Sequence, residues 1–217
     1  TGRILTLAPE LPGALDLVGF ARHAGLVVAV GHTDATYAET CAAFRRGASH
    51  AAHIFNAMRP FSHRETGVLG AVLTACEVTA ELIADGVHVD APAMRLLLAA
   101  KGVESLLLVS DGTAATGMPD GKYLLGAGEA SVLGGVCRNA EGKLAGSTLT
   151  LDRALRNIMA LGVPLADTVR MLTLNPARLL GLERTKGVLA PGADADLVLL
   201  DADMNVAGVM TRGVGLP

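Results

Sequence analysis

Short apolar runs that are typical of buried strands alternate with helical patterns through the first half of the chain. The runs cover residues 3–8, 26–30, 48–54, 78–84 and 105–110. Each is of strand length, and the gaps between them have room for a helix with its loops. Strands that alternate with helices in this way pair in parallel. The sequence therefore predicts an α/β fold built around a parallel sheet.

Local start and stop signals mark the helices between these strands. Asp34 is a suitable N-cap for the second helix, and a proline after Asn175 is expected to end the last one. Beyond Gly187 the pattern returns to strands, which predicts a terminal antiparallel piece. The predicted helices cover 13–24, 34–47, 90–102, 149–161 and 165–174, and the late strands cover 187–189, 195–200 and 206–214.

A polar residue follows each early strand, at intervals that suit successive strand-helix units. In a (β/α)8 TIM-like barrel the carboxyl ends of the strands carry the chemistry. A flat doubly wound sheet would show the same alternation, but it brings only two or three strand ends together. The series favours the barrel. Its members are Glu10, His32, His53, Asp85 or His88, and Asp111.

The regular alternation of strand and helix patterns ends after Asp111. A glycine-rich segment leads into strand-like residues that turn at 139–142, which predicts a hairpin excursion over about 120–145. We therefore predict a partial barrel catalytic domain over 1–186. Residues 187–217 are predicted to supply strands of a small C-terminal β domain of the β-sandwich kind.

Charge and cysteine content limit the partners and the compartment. The 217 residues carry a formal charge of −3, and the charges are scattered, so neither nucleic acid nor a membrane surface is an expected partner. No apolar run approaches the roughly 20 residues that a membrane-crossing helix needs. Cys41, Cys76 and Cys137 form no CxxC pair, which favours free thiols in a reducing cytoplasm.

His32 and His53 are the candidate metal ligands. Each ends a strand-like run, where the backbone is fixed and a neutral imidazole is free to bind a divalent cation. Zinc needs at least three protein ligands, so two histidines alone specify a weak site. The alternative is that one or both are merely hydrogen-bonded beside the sheet. His50 is predicted to be a core histidine, and His23 and His63 to lie on the surface.

Asp111 is the candidate acid/base. It follows the apolar run 106–110, which would deliver its carboxylate to the mouth of a strand. Beside a metal it would take a proton from water and pass it to a leaving amine. A turn or helix cap is the alternative role for this aspartate.

Four other features are candidates for substrate binding. His88 would contact a substrate carbonyl, or pack while Asp90 caps a helix. Asn56 and Arg64 suit an anionic group, although either would also suit a solvated surface. Residues 144–148 would present backbone N–H groups to an anion, or act as an ordinary N-cap.

Six ordered motifs resemble those of the N-acetylglucosamine-6-phosphate deacetylases of the amidohydrolase superfamily. A seventh segment, GVLAPGADADLV at 187–198, is similar to the strand by which amidohydrolases return to a small β domain. Together they extend over nearly the whole chain. The six are LAPE at 7–10, GHTDAT at 31–36, HIFNAM at 53–58, IADGVHVD at 83–90, VSDGT at 109–113 and LAGS at 144–147.

The resemblance implies a metal-dependent hydrolase that removes acetate from N-acetylglucosamine 6-phosphate. The metal would be zinc, with iron, cobalt or manganese as alternatives. The family's arginine at the position of Arg64 reaches a neighbouring subunit, which implies a homodimer. The implied roles are metal ligation by His32 and His53, acid/base catalysis by Asp111, a polarising contact by His88, sugar phosphate recognition by Asn56, Ala57 and Arg64, and lining of the site by Ala145, Gly146 and Ser147.

This sequence departs from the family pattern in one respect. The family's metal-binding glutamate belongs to a Leu-His-Leu-Glu-Gly-Pro motif upstream of the first motif here. Glu10 belongs to a different motif, so we place it behind the ligands rather than on the metal. Two alternatives remain: another amidohydrolase, such as a cyclic amidase or a deaminase, and an inactive barrel fragment that serves as an interaction module.

Overall fold

The computed structural model describes residues 2–126 and 128–215. These residues group into two units. Within the described ranges, the first consists of residues up to Leu82 together with Ala91–Leu107, and the second of Ile83–Asp90 together with residues from Leu108 onwards.

A five-stranded sheet with the order β1-β2-β3-β4-β5 is the centre of the first unit. Strands β1 to β4 pair in parallel, which confirms the predicted α/β fold with a parallel sheet. The last residue of β4 and the last two of β5 belong to the second unit. The strands are β1 (Ile4–Leu7), β2 (Val27–Val30), β3 (His50–Ala51), β4 (Thr79–Ile83) and β5 (Leu106–Val109).

Four α-helices belong to this unit, and three of them match predictions. Sequence patterning does not predict α3, because its apolar residues surround the helix instead of forming one stripe. Six of its eight residues are buried. The helices are α1 (Ala14–His23), α2 (Tyr37–Arg46), α3 (Gly67–Thr74) and α4 (Ala91–Lys101), and a 3₁₀ turn covers Val103–Ser105.

The start of α2 differs from the prediction. Thr36, not Asp34, is the N-cap. The Thr36 hydroxyl accepts the Glu39 backbone N–H, and the Glu39 carboxylate accepts the Thr36 N–H at 2.8 Å. This reciprocal capping box satisfies two N–H groups that the helix itself leaves unpaired, so it is favoured over a single aspartate cap.

Strand β3 is shorter than the predicted run 48–54. The ladder ends at Ala51, and the chain then turns through positive φ angles of 25° at His53, 78° at Phe55 and 50° at Ala57. L-residues rarely adopt this conformation. The apolar run therefore continues past the strand into a tightly wound loop.

The second unit contains a three-stranded antiparallel sheet with the order β6-β7-β8. The strands are β6 (Gly121–Leu125), β7 (Gly128–Leu133) and β8 (Val136–Asn139). A small core of Ala115, Ala130, Val132 and Cys137 packs on it. The predicted turn after β8 is present, because the Gly142 N–H donates to the Asn139 carbonyl at 2.9 Å.

The rest of the second unit is three helices followed by a second antiparallel sheet, of order β11-β10-β9. None of the helices in the described ranges has the length and apolarity that crossing a bilayer requires. The elements are α5 (Leu151–Ala160), α6 (Leu165–Leu172), α7 (Leu174–Leu179), β9 (Leu197–Leu200), β10 (Val206–Thr211) and β11 (Val214–Gly215).

Two predictions near the C-terminus are wrong. Pro176 does not end a helix, since it lies in the first turn of α7, where a proline needs no N–H partner. Residues 187–189 form no strand. At Gly187 a Cβ would lie 2.7 Å from backbone atoms of Thr173, and its φ is +74°, so this glycine serves a close backbone approach instead.

Candidate active site

His32 and His53 lie together in the first unit, as their positions after neighbouring strands predict. Their ring centroids are 4.7 Å apart in an edge-to-face arrangement. Both residues have positive φ, 48° at His32 and 25° at His53. Non-glycine residues held in this region cluster at functional sites, where the surrounding structure compensates for the strain.

The ring of His53 has a polar atom that no hydrogen bond satisfies. Its Nδ1 is buried and has no hydrogen-bond partner among the described residues. An unpaired buried nitrogen is costly, so it is expected to have a ligand. A neutral imidazole beside a second imidazole fits part of the donor set of a divalent metal such as zinc.

The turn after His32 is held by Glu10. One oxygen of this carboxylate accepts the Thr33 hydroxyl at 2.5 Å, and the other accepts the Asp34 backbone N–H at 2.8 Å. Both oxygens of Glu10 therefore bind protein groups. This agrees with its expected place behind the ligands, since it fixes the backbone that presents His32.

Arg59 is a further residue of this region that sequence reasoning missed. Its guanidinium donates to the Asp34 carbonyl at 2.7 Å and to the Asp34 carboxylate at 3.1 and 2.9 Å. The segments 32–34 and 57–60 line an open cavity of about 380 Å³. No local signal identifies this pair, because its members are 25 residues apart in the chain.

Asn56 and Ala57 contact the histidine loops, whereas Arg64 is exposed. The Asn56 amide donates to the carbonyls of His53 and Ile54 at 3.3 and 3.2 Å. Ala57 lines the cavity beside His32. The Arg64 guanidinium lies in solvent, 2.9 Å from the ring of exposed His63.

His50 is the core histidine that the sequence predicts. Its side chain is 0% exposed. Nδ1 lies 2.7 Å from the Thr79 hydroxyl, and Nε2 lies 3.0 Å from the Glu81 carboxylate. The other oxygen of Glu81 accepts the backbone N–H of His53 at 3.1 Å.

Asp111 belongs to the second unit, where it directly contacts the 145–147 segment. It is exposed and has a φ of +47°. The Ser147 N–H donates to the Asp111 carbonyl at 2.8 Å. Gly146 packs so closely that a Cβ there would lie 3.0 Å from that carbonyl. The structure thus groups the candidate acid/base with two of the predicted lining residues.

The same segment does not present a row of free N–H groups to an anion, which is one of the two roles predicted for it. The Ala145 N–H donates to the Cys137 carbonyl at 3.2 Å, and that of Ser147 is used by Asp111. The Ser147 hydroxyl donates to the Ser110 carbonyl and accepts the Leu149 N–H. These bonds shape the loop beside Asp111, and they leave fewer donors for a ligand.

His88, also in the second unit, is paired with Asp85. Nδ1 lies 2.6 Å from the carboxylate, and both side chains are nearly buried. Burial, the largest influence, raises the pKa of Asp85, but hydrogen bonds from the His88 side chain and from two backbone N–H groups outweigh it and hold the pKa below its usual value. The carboxylate is therefore ionised and directs the proton of His88 to Nδ1.

Within the described ranges, no cluster of three or more His, Cys, Asp or Glu side chains has the geometry of a complete metal site. The two histidines thus provide part of a donor set and not all of it.

A sequence model of the amidohydrolase family matches residues 13–215. This chain belongs to the amidohydrolase family. Members of the family generally use a divalent metal, which agrees with the paired histidines and the unsatisfied Nδ1.

Curated relatives and a solved structure are more specific. An N-acetylgalactosamine-6-phosphate deacetylase from Escherichia coli O157:H7 is 42% identical over 98% of this chain and 56% of its own. An N-acetylglucosamine-6-phosphate deacetylase from Bacillus subtilis is 37% identical over 97% of this chain and 54% of its own. The chain therefore spans about half the length of these relatives.

The solved structure is an N-acetyl-D-glucosamine-6-phosphate deacetylase mutant from Mycobacterium smegmatis in complex with N-acetyl-D-glucosamine-6-phosphate. It is 45% identical, with a TM-score of 0.94 over 98% of this chain and 57% of that chain. At this similarity the fold of the matched part is shared.

Proposed function

We propose that this chain carries catalytic residues of an N-acetylglucosamine-6-phosphate deacetylase. The reaction is hydrolysis of the acetamide of N-acetylglucosamine 6-phosphate to glucosamine 6-phosphate and acetate. The observation that supports it most is the 45% identity, at a TM-score of 0.94, to a deacetylase solved with that sugar phosphate. The motifs that carry the resemblance include the strained histidine pair and Asp111.

In this proposal His32 and His53 hold a divalent metal. Imidazole ligands suit zinc or iron, and the family resemblance adds cobalt and manganese as alternatives. When bound, such an ion polarises the amide carbonyl and lowers the pKa of water to about 7. The buried Nδ1 of His53, which has no partner among the described residues, supports this role.

Asp111 acts as the acid/base. Its carboxylate takes a proton from the water that attacks the acetamide carbon. It then returns that proton to the amine nitrogen as the carbon-nitrogen bond breaks, so that glucosamine 6-phosphate and acetate leave. The exposed side chain and the positive φ of Asp111 are consistent with a carboxylate held ready for substrate.

Substrate recognition is assigned to two groups of residues. Asn56, Ala57 and the exposed Arg64 recognise the sugar phosphate, since a guanidinium binds phosphate oxygens in pairs. His88, with Nδ1 fixed by Asp85, contacts the acetamide or the sugar. Ala145, Gly146 and Ser147 line the site beside Asp111. We also propose a homodimer, because the resemblance implies that an arginine at the position of Arg64 reaches a neighbouring subunit's site.

We further propose that the parallel sheet corresponds to later strands of a (β/α)8 barrel. Residues 1–186 would form the partial catalytic domain, with an excursion at about 120–145, and 187–217 would contribute to a small β domain. The coverage of about half of each relative supports this assignment. The proposed location is the cytoplasm, and the proposed partner is the phosphorylated sugar rather than nucleic acid or a membrane.

A second candidate substrate is N-acetylgalactosamine 6-phosphate, the epimer at C4. It is favoured by the 42% identity to a relative named for that substrate. Both candidates share the acetamide and the phosphate, so the same residues would serve either reaction.

The test is acetate release by the full-length natural protein from each phosphorylated sugar, and from N-acetylglucosamine as the control without phosphate. The proposal predicts metal-dependent release that a chelator abolishes and zinc restores, with the unphosphorylated sugar much poorer. A ratio of kcat/KM between the two epimers identifies the preferred one. Release of no acetate from either phosphorylated sugar by the metal-loaded protein would refute the proposal.

A further inference from the structure

Two consecutive backbone N–H groups, those of His53 and Ile54, donate to a single residue of the neighbouring strand. The His53 N–H donates to the Glu81 carboxylate at 3.1 Å, and the next N–H, that of Ile54, donates to the Glu81 carbonyl at 2.8 Å. Strand β3 has already ended at Ala51, so the His53 N–H lies beyond the ladder. At His53 the Glu81 side chain therefore supplies the hydrogen bond that the strand ladder does not.

That residue is strained. His53 has a φ of 25°, outside the regions that L-residues ordinarily occupy, and its buried Nδ1 has no hydrogen-bond partner among the described residues. A hydrogen bond from the N–H to a carboxylate is stronger than one to a neutral acceptor. The bond to Glu81 thus stabilises the conformation that directs the ring towards His32, whose centroid is 4.7 Å away.

Glu81 is itself fixed by a chain of hydrogen bonds. Its side chain is only 19% exposed, and its second oxygen lies 3.0 Å from Nε2 of fully buried His50. A carboxylate only accepts, so Nε2 carries a proton. Nδ1 of His50 is anchored 2.7 Å from the Thr79 hydroxyl.

We propose that Glu81, braced by His50 and Thr79, is a positioning residue that sets the metal affinity of His53 through its backbone. The inference rests on the proposed function insofar as it takes His53 to be a metal ligand. In this proposal Glu81 acts through the backbone N–H of His53, and not as a metal ligand or a substrate contact. Its role is to hold the histidine in a strained conformation before the metal arrives, which lowers the reorganisation that binding requires.

The test is Glu81→Gln in the full-length natural protein. Glutamine has the same size and retains one acceptor, but it has no charge and cannot accept from both His50 and His53. Affinity for zinc, from competition with a chromophoric chelator, is expected to fall about 10- to 100-fold, as for other groups that orient metal ligands. The visible spectrum of the cobalt-substituted protein should also change, since it reports ligand geometry.

The control is Glu39→Gln. This carboxylate also accepts a backbone N–H, that of Thr36 at 2.8 Å, but it does so at an exposed helix cap. Glu39→Gln should lower the midpoint of urea unfolding without changing zinc affinity or the cobalt spectrum. If Glu81→Gln fails to fold, Thr79→Val tests the far end of the chain of bonds, with a several-fold loss of zinc affinity expected.

Three results would overturn the inference. If folded Glu81→Gln has the zinc affinity and the cobalt spectrum of the wild type, Glu81 has only a structural role. If Glu81→Gln does not fold, the same result in Thr79→Val leads to the same conclusion. A wild-type protein that binds no divalent metal would refute the proposed metal site together with this inference. Wild-type binding that persists at full affinity after His53→Ala would remove His53 from the metal, and the role of Glu81 with it.

Discussion

Gly146 beside Asp111 is the position where a single methyl group tests the loop geometry most sharply. Its φ is +62°, and an added Cβ would lie 2.6 Å from Thr113 Cγ2 and 3.0 Å from the Asp111 carbonyl. The left-handed conformation costs an alanine about 1–2 kcal/mol. Forcing a methyl group into packed surroundings adds about 1–3 kcal/mol. Gly146→Ala should therefore lower the free energy of unfolding by roughly 2–5 kcal/mol.

Gly142→Ala is the matched control. Its φ is +76°, but nothing lies within 4 Å of the added Cβ, so it carries only the conformational cost of about 1–2 kcal/mol. The difference between the two variants in unfolding free energy, measured by urea denaturation, gives the steric contribution at Gly146. The Thr113→Ser background removes the nearest clash, so the loss of unfolding free energy caused by Gly146→Ala should be smaller there by about 1 kcal/mol or more.

The same variant should also affect turnover. Displacing the Asp111 backbone misplaces its carboxylate, and an error of about 1 Å in a catalytic group costs roughly 100-fold. Gly142→Ala should leave kcat unchanged. Equal stability losses in Gly146→Ala and Gly142→Ala, or no recovery with Thr113→Ser, would refute the packing that the structure shows around Asp111.

Three further predictions concern binding, pH and capping. In steady-state kinetics, Arg64→Ala should raise KM for the phosphorylated sugar about tenfold or more and leave KM for the unphosphorylated sugar unchanged. The control Arg46→Ala removes an exposed ion pair with Asp16 and should change neither KM value. Folding lowers the pKa of Asp85, so the stability that its carboxylate contributes is present above about pH 4 and is lost as pH falls through the lower folded value. In urea unfolding, the wild type should therefore exceed Asp85→Asn in stability by more at pH 7 than at pH 3. A stability difference that does not change with pH would contradict this. Thr36→Ala should cost about 1 kcal/mol in thermal unfolding, and no loss would show that the α2 cap is not formed as described.

The parallel sheet and the approach of His32 to His53 were predictable because both follow from local patterns. Apolar runs of strand length alternate with helical segments, and parallel pairing then places the ends of neighbouring strands side by side. The errors at Asp34 and Pro176 arose where two local signals compete. Thr36 with its capping box was favoured over an isolated aspartate cap, and a proline that ends one helix is equally suited to begin another.

Partners far apart in the chain were not predictable. Glu81 lies 31 residues from His50, and Arg59 lies 25 residues from Asp34. Neither pair has a local signature, because glutamate and arginine are ordinary surface residues until a neighbouring strand or loop supplies their partners. Likewise, the use of the Ser147 N–H by the Asp111 carbonyl depends on the course of two loops that only the folded backbone defines.

The most direct test of the central claim is to measure turnover and metal content together in Asp111→Asn of the full-length natural protein. The claim is that the Asp111 carboxylate transfers the proton while His32 and His53 hold the metal. The account predicts that kcat for N-acetylglucosamine 6-phosphate falls about 10²- to 10⁴-fold, with metal bound as in the wild type. Wild-type turnover in the metal-loaded variant would contradict it.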